Sequence, residues 1–129
     1  MYPDDLHYTA THEWIKVGSG NTARVGITDH AAEQLGDIVY VSLPAVDDQV
    51  SAGSSLVELE STKSVGEVFT ELDGVVTAVN SVLEDSPETI NQDPYGDGWL
   101  FEIEFTDPAQ LEGLLSADEY AEVVESEEG

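Results

Sequence analysis

Short valine-rich segments separated by glycine-containing turns constrain the fold of this chain more than any other feature of its sequence. Residues 55–60 and 65–69 flank a central turn, and Asp73-Gly74 precedes a further valine-rich segment at 75–79. β-Branched residues in short, turn-bounded runs favour strands over helices. The pattern predicts a mainly β fold in which two small sheets close into a flattened barrel, which would limit exposed strand edges.

The remaining strand signals lie on either side of this central region. Residues 13–17 and 22–27 are predicted to pair around a turn at 18–21, and residues 38–43 and 99–105 are predicted to form two more strands. A short internal helix is expected between the strands at 22–27 and 38–43, because residue 28 or 29 can cap its start and Gly36 can supply the left-handed residue at its end.

The end of the chain changes from strand to helix patterns. Asp107 and Pro108 predict the start of one helix, and Ser116 and Glu119 form a capping-box pattern that opens a second. The apolar positions expected to face the protein body are Leu111, Leu114 and Leu115 in the first helix and Tyr120, Val123 and Val124 in the second. We expect one domain over residues 1–129, with a helical C-terminal extension over about residues 107–125.

The charge balance excludes several classes of partner. The chain has 28 acidic and three basic residues, for a net charge of −25. It therefore offers no basic patch for nucleic acid or for anionic membranes. We expect a source with a salt-rich cytoplasm, because salt screens repulsion among carboxylates. The segment Met1–Asp5 resembles neither a secretory signal nor a transit peptide, so a cytoplasmic protein is expected. A monomer is expected as well.

The scarcity of lysine draws attention to Lys63. It is one of two lysines, and it lies in the central turn between two predicted strands. A primary amine held at such a tip is a candidate for covalent attachment of a cofactor. The chain contains no cysteine, so any redox sulfur must arrive on that cofactor.

Five segments of the sequence together resemble the glycine cleavage system H protein family. They are Thr11-His12-Glu13-Trp14, residues 26–31, residues 35–39, Glu60-Ser61-Thr62-Lys63 and residues 91–99. They occur in the family's order and spacing over nearly the whole chain. The resemblance implies a barrel-sandwich hybrid fold of the lipoyl and biotinyl type, with a helical extension.

The resemblance also implies a function. Lys63 would carry lipoic acid in amide linkage, attached by a lipoate-attaching enzyme, and the protein would be a non-catalytic carrier. Glycine decarboxylase (the P protein) would load an aminomethyl group, and aminomethyltransferase (the T protein) would pass it to tetrahydrofolate. Dihydrolipoyl dehydrogenase (the L protein) would reoxidise the dithiol. Tethering raises the effective concentration of the intermediate at each enzyme.

Further site residues carry over from the family. Thr11 and Glu13 match the cleft that shelters the loaded arm, and Glu67 matches an acidic position of the same cleft. The competing interpretation is that the two glutamates are ordinary solvated acids. His12 and His30 are interpreted as capping or packing residues, and Trp14 and Trp99 as structural aromatics.

The tip of the turn departs from the family pattern in two places. Thr62 stands where valine is frequent, and Ser64 stands where a small aliphatic residue is common. Both changes leave the amine of Lys63 in place but affect what a lipoate-attaching enzyme would recognise.

Several alternatives remain open on the sequence alone. One is a lipoyl carrier for lipoyl relay or for a 2-oxo acid dehydrogenase complex. A biotin carrier is disfavoured because biotin-attachment lysines usually lie between two methionines, and Met1 is the only methionine of this chain. A hydrolase with paired carboxylates and a purely structural acidic protein are the others. Asp93, Asp97, Gly98 and Glu104 match part of a calcium-loop pattern, but strand-like flanks favour a simple turn.

Overall fold

A computed structural model of the chain describes residues 2–128. From the N-terminus, its strands and helices are β1 (His7–Tyr8), β2 (Glu13–Val17), β3 (Thr22–Ile27), α1 (Asp29–Leu35), β4 (Ile38–Ser42), β5 (Gln49–Val50), β6 (Ser55–Ser61), β7 (Val65–Phe69), β8 (Gly74–Val79), α2 (Val82–Asp85), α3 (Thr89–Gln92), β9 (Phe101–Phe105), a 3-10 helix (Pro108–Gly113) and α4 (Ala117–Glu128). None of the helices in this part of the chain is both long and apolar enough to cross a bilayer.

The strands of the described residues form two antiparallel sheets. A six-stranded sheet has the order β1-β2-β3-β9-β8-β5, and a three-stranded sheet has the order β4-β6-β7. The predicted mainly β, two-sheet fold is confirmed, but the predicted closure into a barrel is wrong, since no strand pairing between residues 2 and 128 joins the sheets. The edges are limited in another way: β1 and β5 are two residues long, and Leu115 pairs with Tyr8 on the open side of β1.

The main core lies between the sheets and is built from alternate residues of their strands. Its fully buried members include Leu59 of β6, Val68 of β7, and Phe101 and Ile103 of β9. The short helices α2 and α3, which were not predicted from the sequence, add Leu83 and Ile90 to the same core. Burial of this apolar surface is the main force that holds the sheets together.

A second, aromatic cluster attaches the C-terminal helix to the six-stranded sheet. The rings of Tyr8 and Tyr120 stack with centroids 4.9 Å apart and planes 10° from parallel. Trp14 of β2 and Val124 of α4 are buried in the same cluster. The helix is therefore fixed beside the β1–β2 end of the sheet.

The internal helix forms where the sequence predicts it. The side chain of Thr28 accepts a hydrogen bond from the amide of Ala31 at 3.2 Å, which satisfies one of the free amides of the first turn. Gly36 ends the helix at φ +85°, and its amide donates to the carbonyl of Ala32 at 3.0 Å.

The predicted C-terminal helices need two corrections. The segment after Asp107 is a single 3-10 helix that ends at Gly113, so Leu111 lies in it and Leu114 and Leu115 follow it. Leu111 and Leu114 pack on the main core, whereas Leu115 packs on the aromatic cluster. The capping box is confirmed, because Ser116 and Glu119 each accept the other's amide through their side chains. However, α4 continues to Glu128, beyond the predicted end near residue 125.

Candidate functional site

Lys63 lies exposed at the tip of the hairpin formed by β6 and β7. The tip is closed by the amide of Ser61, which donates to the carbonyl oxygen of Ser64 at 2.8 Å. The hydroxyl of Ser61 accepts from the amides of Ser64 at 3.0 Å and Lys63 at 3.3 Å, and it donates to the carbonyl of Ser64. This Ser61 network holds the backbone of the tip from which the Lys63 side chain extends.

The aliphatic stem of Lys63 rests on the end of α1. A Cβ atom placed on Gly36 would lie 3.1 Å from Cε and 3.6 Å from Cδ of Lys63. The neighbouring Thr62 amide donates to the carbonyl of Asp37 at 3.1 Å, which ties the tip to the segment after the helix. The aliphatic part of the Lys63 side chain is therefore packed against the helix end, while the residue as a whole is exposed.

A groove of about 180 Å³ begins beside this hairpin. The groove is lined by β2 and the two residues before it, the end of β3, α1 and the β6–β7 hairpin. The lining residues are Thr11, His12, Glu13, Ile27, Ala31, Gln34, Leu35, Leu59, Gly66, Glu67 and Val68. Leu35 adjoins Gly36 in sequence, and its side chain would lie 3.0 Å from a Cβ on Gly66, so it connects the lysine support to the groove. The three predicted cleft residues, Thr11, Glu13 and Glu67, are therefore brought together.

Glu13 is buried deep in the groove, with 1% of its surface exposed. Its Oε1 accepts from the hydroxyls of Thr9 and Thr11, and its Oε2 accepts from the amide of Phe69 at 3.4 Å. Burial raises the pKa of the Glu13 carboxyl; the Thr11, Thr9 and Phe69 hydrogen bonds offset part of that shift, and repulsion from Glu71 adds to it. The donors that hold this buried carboxyl are all neutral hydroxyl or amide groups, and no cation of the described residues pairs with it.

Glu67 occupies the rim of the same groove. It is exposed on β7, where Oε1 accepts a hydrogen bond from the hydroxyl of Ser55 at 3.2 Å. The interpretation of the two glutamates as ordinary solvated acids is therefore wrong for Glu13, which is buried, whereas Glu67 is solvated. The two carboxyls differ in environment although they share a groove.

Three contributors to the site were not predicted from the sequence. Thr9 donates to Glu13, the amide of Phe69 reaches it across the sheets, and Gly36 supports Lys63. The alternation Thr9, Thr11, Glu13 is a sequence signal for the first of these. No local signal identifies the other two, because they depend on contacts between distant segments.

Comparison with known proteins decides the family. The family model described as "Glycine cleavage H-protein" matches residues 6–127. The chain belongs to the glycine cleavage H-protein family.

Individual relatives agree with this assignment. The glycine cleavage system H protein of Marinobacter nauticus is 48% identical over 126 residues, which cover 98% of this chain and 97% of that relative. The H protein of Mycobacterium avium is 52% identical over 115 residues, 89% of this chain and 87% of its own length. A crystal structure of the H protein from Mycobacterium marinum matches with a TM-score of 0.81 and 43% identity, covering 94% of this chain and 97% of that one.

Membership of the H-protein family confirms two predictions. The resemblance found in the sequence is correct, and the protein is a carrier subunit for glycine cleavage that is not itself catalytic. The hydrolase and structural-protein alternatives are set aside on the same ground.

Two of the three histidines of this H-protein family member, His12 and His30, lie at the junction between the groove and α4. Nδ1 of His12 is 2.7 Å from the hydroxyl of Tyr120, and Nε2 is 3.0 Å from Oε1 of Glu127. His30 is buried in α1, and its ring centroid lies 4.9 Å from that of His12. The packing interpretation is therefore confirmed for His30, whereas His12 forms specific polar contacts.

The remaining sequence candidates have structural roles. Trp14 is buried and donates from Nε1 to the carbonyl of Pro94 at 2.9 Å. The guanidinium carbon of Arg24 lies 4.3 Å from the ring centre of Trp99, a cation–π arrangement. Asp93 shapes the turn that resembled a calcium loop, since its Oδ2 accepts from the amide of Asp97 at 3.0 Å.

Proposed function

We propose that this protein carries lipoate on Lys63 and shuttles the aminomethyl group of glycine between the enzymes of the glycine cleavage system. The observation that carries the proposal is the placement of Lys63 at an ordered hairpin tip next to a groove that ends at a buried glutamate. Family membership supplies the reaction class. The residues around the tip and the groove explain why this chain suits that class of reaction.

Lys63 fits the attachment point. Its stem lies on Gly36, the residue is exposed, and the Ser61 network fixes the backbone from which it extends. The other lysine, Lys16, lies in the middle of a paired strand, opposite Arg24. A modifying enzyme can reach the tip of a hairpin without disturbing the sheet, so Lys63 is the amine that would be acylated.

The groove fits the cargo. When bound, lipoate supplies the sulfur that accepts the one-carbon unit, and the protein supplies shelter and charge. The groove walls contributed by Ile27, Leu35 and Val68 are apolar, so they suit a hydrocarbon arm and exclude water. Glu13 would hold a protonated amine through a charge-assisted hydrogen bond. The amine would then give the carboxylate a cationic partner, and a buried carboxylate without one is unfavourable.

Glu67 and Thr11 would take secondary parts in holding the cargo. Thr11 already donates to Glu13, which orients the carboxylate toward the groove. Glu67 at the rim adds a second negative charge at the groove entrance and would favour entry of a cation over an anion. Glycine decarboxylase, aminomethyltransferase and dihydrolipoyl dehydrogenase are the partners that would load, unload and reoxidise the arm.

Mass analysis after enzymatic lipoylation tests the attachment. The purified protein is incubated with a lipoate ligase, lipoate and ATP, and the intact protein and its peptides are weighed. We expect a single lipoyl adduct on the peptide that contains Lys63, its loss in Lys63→Ala, and its retention in Lys16→Ala. An adduct on Lys16, or none on a folded protein, would refute the proposal.

Exchange between glycine and labelled bicarbonate tests the carrier role. The lipoylated protein is supplied to glycine decarboxylase, and incorporation of label into glycine is measured. We expect exchange with the lipoylated wild type and none with Lys63→Ala. Lipoylated protein that supports no exchange would contradict the carrier function while leaving the attachment site intact.

A further inference from the structure

We propose that His12, His30 and Glu127 form a binding site for a divalent transition-metal ion, with Zn²⁺ as the representative ion. One donor atom from each side chain lies within 4.8 Å of the other two. The three residues come from the position just before β2, from α1 and from the end of α4, so the fold and not a local motif assembles them. The site is separate from Lys63 and does not depend on the proposed lipoyl function.

A buried ring nitrogen of His30 provides a second, independent observation for this site. It is 8% exposed, and its Nε2 is the one buried side-chain nitrogen or oxygen among the described residues that has no hydrogen-bond partner. Buried polar atoms in folded proteins are almost always satisfied, so such an atom requires an explanation. An ion held between His30, His12 and Glu127 would satisfy it.

His12 is already oriented as metal-binding histidines are. Its Nδ1 lies 2.7 Å from the hydroxyl of Tyr120, which in turn lies 2.7 Å from the hydroxyl of Thr28. A metal-bound histidine typically donates its other ring N–H to such a second group, which fixes the ring and its tautomer. Thr28 and Tyr120 are both buried, so this support is rigid.

Metal binding would require the tautomer of His12 in which Nε2 is unprotonated. Nδ1 would then carry the ring proton and donate it to the hydroxyl oxygen of Tyr120, 2.7 Å away. In that tautomer Nε2 of His12 and Oε1 of Glu127, which lie 3.0 Å apart, each offer a lone pair to an ion.

The ligand types select the metal. Two imidazoles and one carboxylate are the protein ligands of many zinc sites that keep a fourth position for water. Calcium and magnesium prefer sites made of oxygen alone, so imidazoles disfavour them. The many other carboxylates of this chain would bind such ions weakly and without histidine.

A bound ion would fasten α4 to the carrier body next to the groove. Glu127 is 48% exposed and lies in the last turn of the helix, whereas His12 lines the groove itself. The ion would therefore connect the helix end to the wall that includes Thr11 and Glu13. It would also raise the free energy of unfolding, since a ligand that binds only the native state stabilises it.

Calorimetric titration with ZnCl2 tests the site. The protein is first treated with EDTA, dialysed, and titrated in excess MgCl2, which occupies nonspecific carboxylates. We expect one high-affinity site, with the dissociation constant raised by more than about 100-fold in Glu127→Gln and His30→Gln. Removing even an outer group that hydrogen-bonds a metal ligand lowers metal affinity by about 10- to 100-fold, and these substitutions remove a ligand itself. His7→Gln is the matched control, because His7 lies on β1 outside the cluster, and it should leave the affinity unchanged.

Cobalt spectroscopy gives a second readout that does not depend on the buried variant. Co²⁺ in a four-coordinate site with histidine ligands gives strong visible bands, which should develop to one equivalent in wild type and His7→Gln and be absent in Glu127→Gln. Glu127 is exposed, so its substitution leaves the fold intact. Weak zinc binding that is equal in wild type and Glu127→Gln, or Co²⁺ bands that are equal in both, would overturn the proposal.

Discussion

A Cβ atom on Gly36 would lie 3.1 Å from Cε of Lys63, so the glycine that ends α1 is also the surface on which the lysine stem rests. The same residue has φ +85° and ψ −158°, a region of backbone space that is essentially restricted to glycine. One position therefore combines a helix end with the support of the attachment residue.

Gly36→Ala is expected to affect both stability and lipoylation. The backbone strain should lower the free energy of unfolding by about 1–3 kcal/mol, and the added methyl group should displace the lysine stem and slow acylation. Gly53→Ala is the control, because Gly53 also has a positive φ, of +89°, but no atom of the described residues lies within 4 Å of its added Cβ. Chemical denaturation and a lipoylation time course measure the two effects; equal acylation rates in both variants would contradict the role assigned to Gly36.

The hairpin tip offers a matched pair of serines. The hydroxyl of Ser61 makes three hydrogen bonds at the tip, donating one and accepting two, whereas Ser64 takes part there through its backbone groups. Ser61→Ala should therefore loosen the tip, lower stability by about 1 kcal/mol and slow lipoylation. Ser64→Ala, which restores a small aliphatic residue after the lysine, should leave stability nearly unchanged. Hydrogen exchange of the Ser64 amide measures the loosening; unaltered protection in Ser61→Ala would argue against the network.

The buried carboxyl of Glu13 predicts a pH dependence of stability. Because burial raises its pKa, the folded protein retains a proton that the unfolded chain releases as the pH rises past the ordinary glutamate value of 4.5. Folding is then favoured below that value, and the advantage is lost as the pH rises through the folded-state pKa. Glu13→Gln cannot lose this proton, yet its carbonyl can still accept from Thr9 and Thr11.

Melting curves in EDTA, which removes divalent metals, measure this difference for Glu13. The melting temperature of Glu13→Gln relative to wild type should increase from acidic to neutral pH. Titration of the other carboxyls is common to both proteins and cancels in the comparison. A difference that stays constant over the whole range would show that the Glu13 carboxyl titrates normally in the folded protein.

The acidic surface predicts stabilisation by salt. Among the described residues Arg24 forms an ion pair with Glu102, and His12 lies 3.0 Å from Glu127, so most of the 28 acidic side chains have no cationic partner. The Debye length falls from about 8 Å at physiological ionic strength to about 3 Å at 1 M salt, which screens their repulsion. We expect the melting temperature to rise by several degrees in molar KCl.

The salt series needs a control for ion type. Choline chloride at the same ionic strength screens charge without the specific hydration of K⁺, so a similar rise in both salts would attribute the effect to screening. A melting temperature that is the same in dilute buffer and in molar KCl would contradict the expectation of a salt-rich source.

Local sequence patterns predicted the elements that depend on neighbours in the chain. Thr28 and Gly36 bound α1 because capping involves residues within one turn, and Ser116 with Glu119 opens α4 for the same reason. The position of Lys63 between two strands was likewise visible. The long-range outcomes were not visible: the sheets stay open, and the segment after Asp107 forms a 3-10 helix. Leu111 within that helix and Leu114 and Leu115 after it divide between two clusters.

The order of the amino acids was enough to place an accessible amine in a β hairpin, since turn and strand preferences act over a few residues. Long-range packing was needed to bury Glu13 beneath the amide of Phe69 and to bring His12, His30 and Glu127 together. Burial and side-chain convergence depend on which distant segments contact one another, and those contacts are set by the whole core.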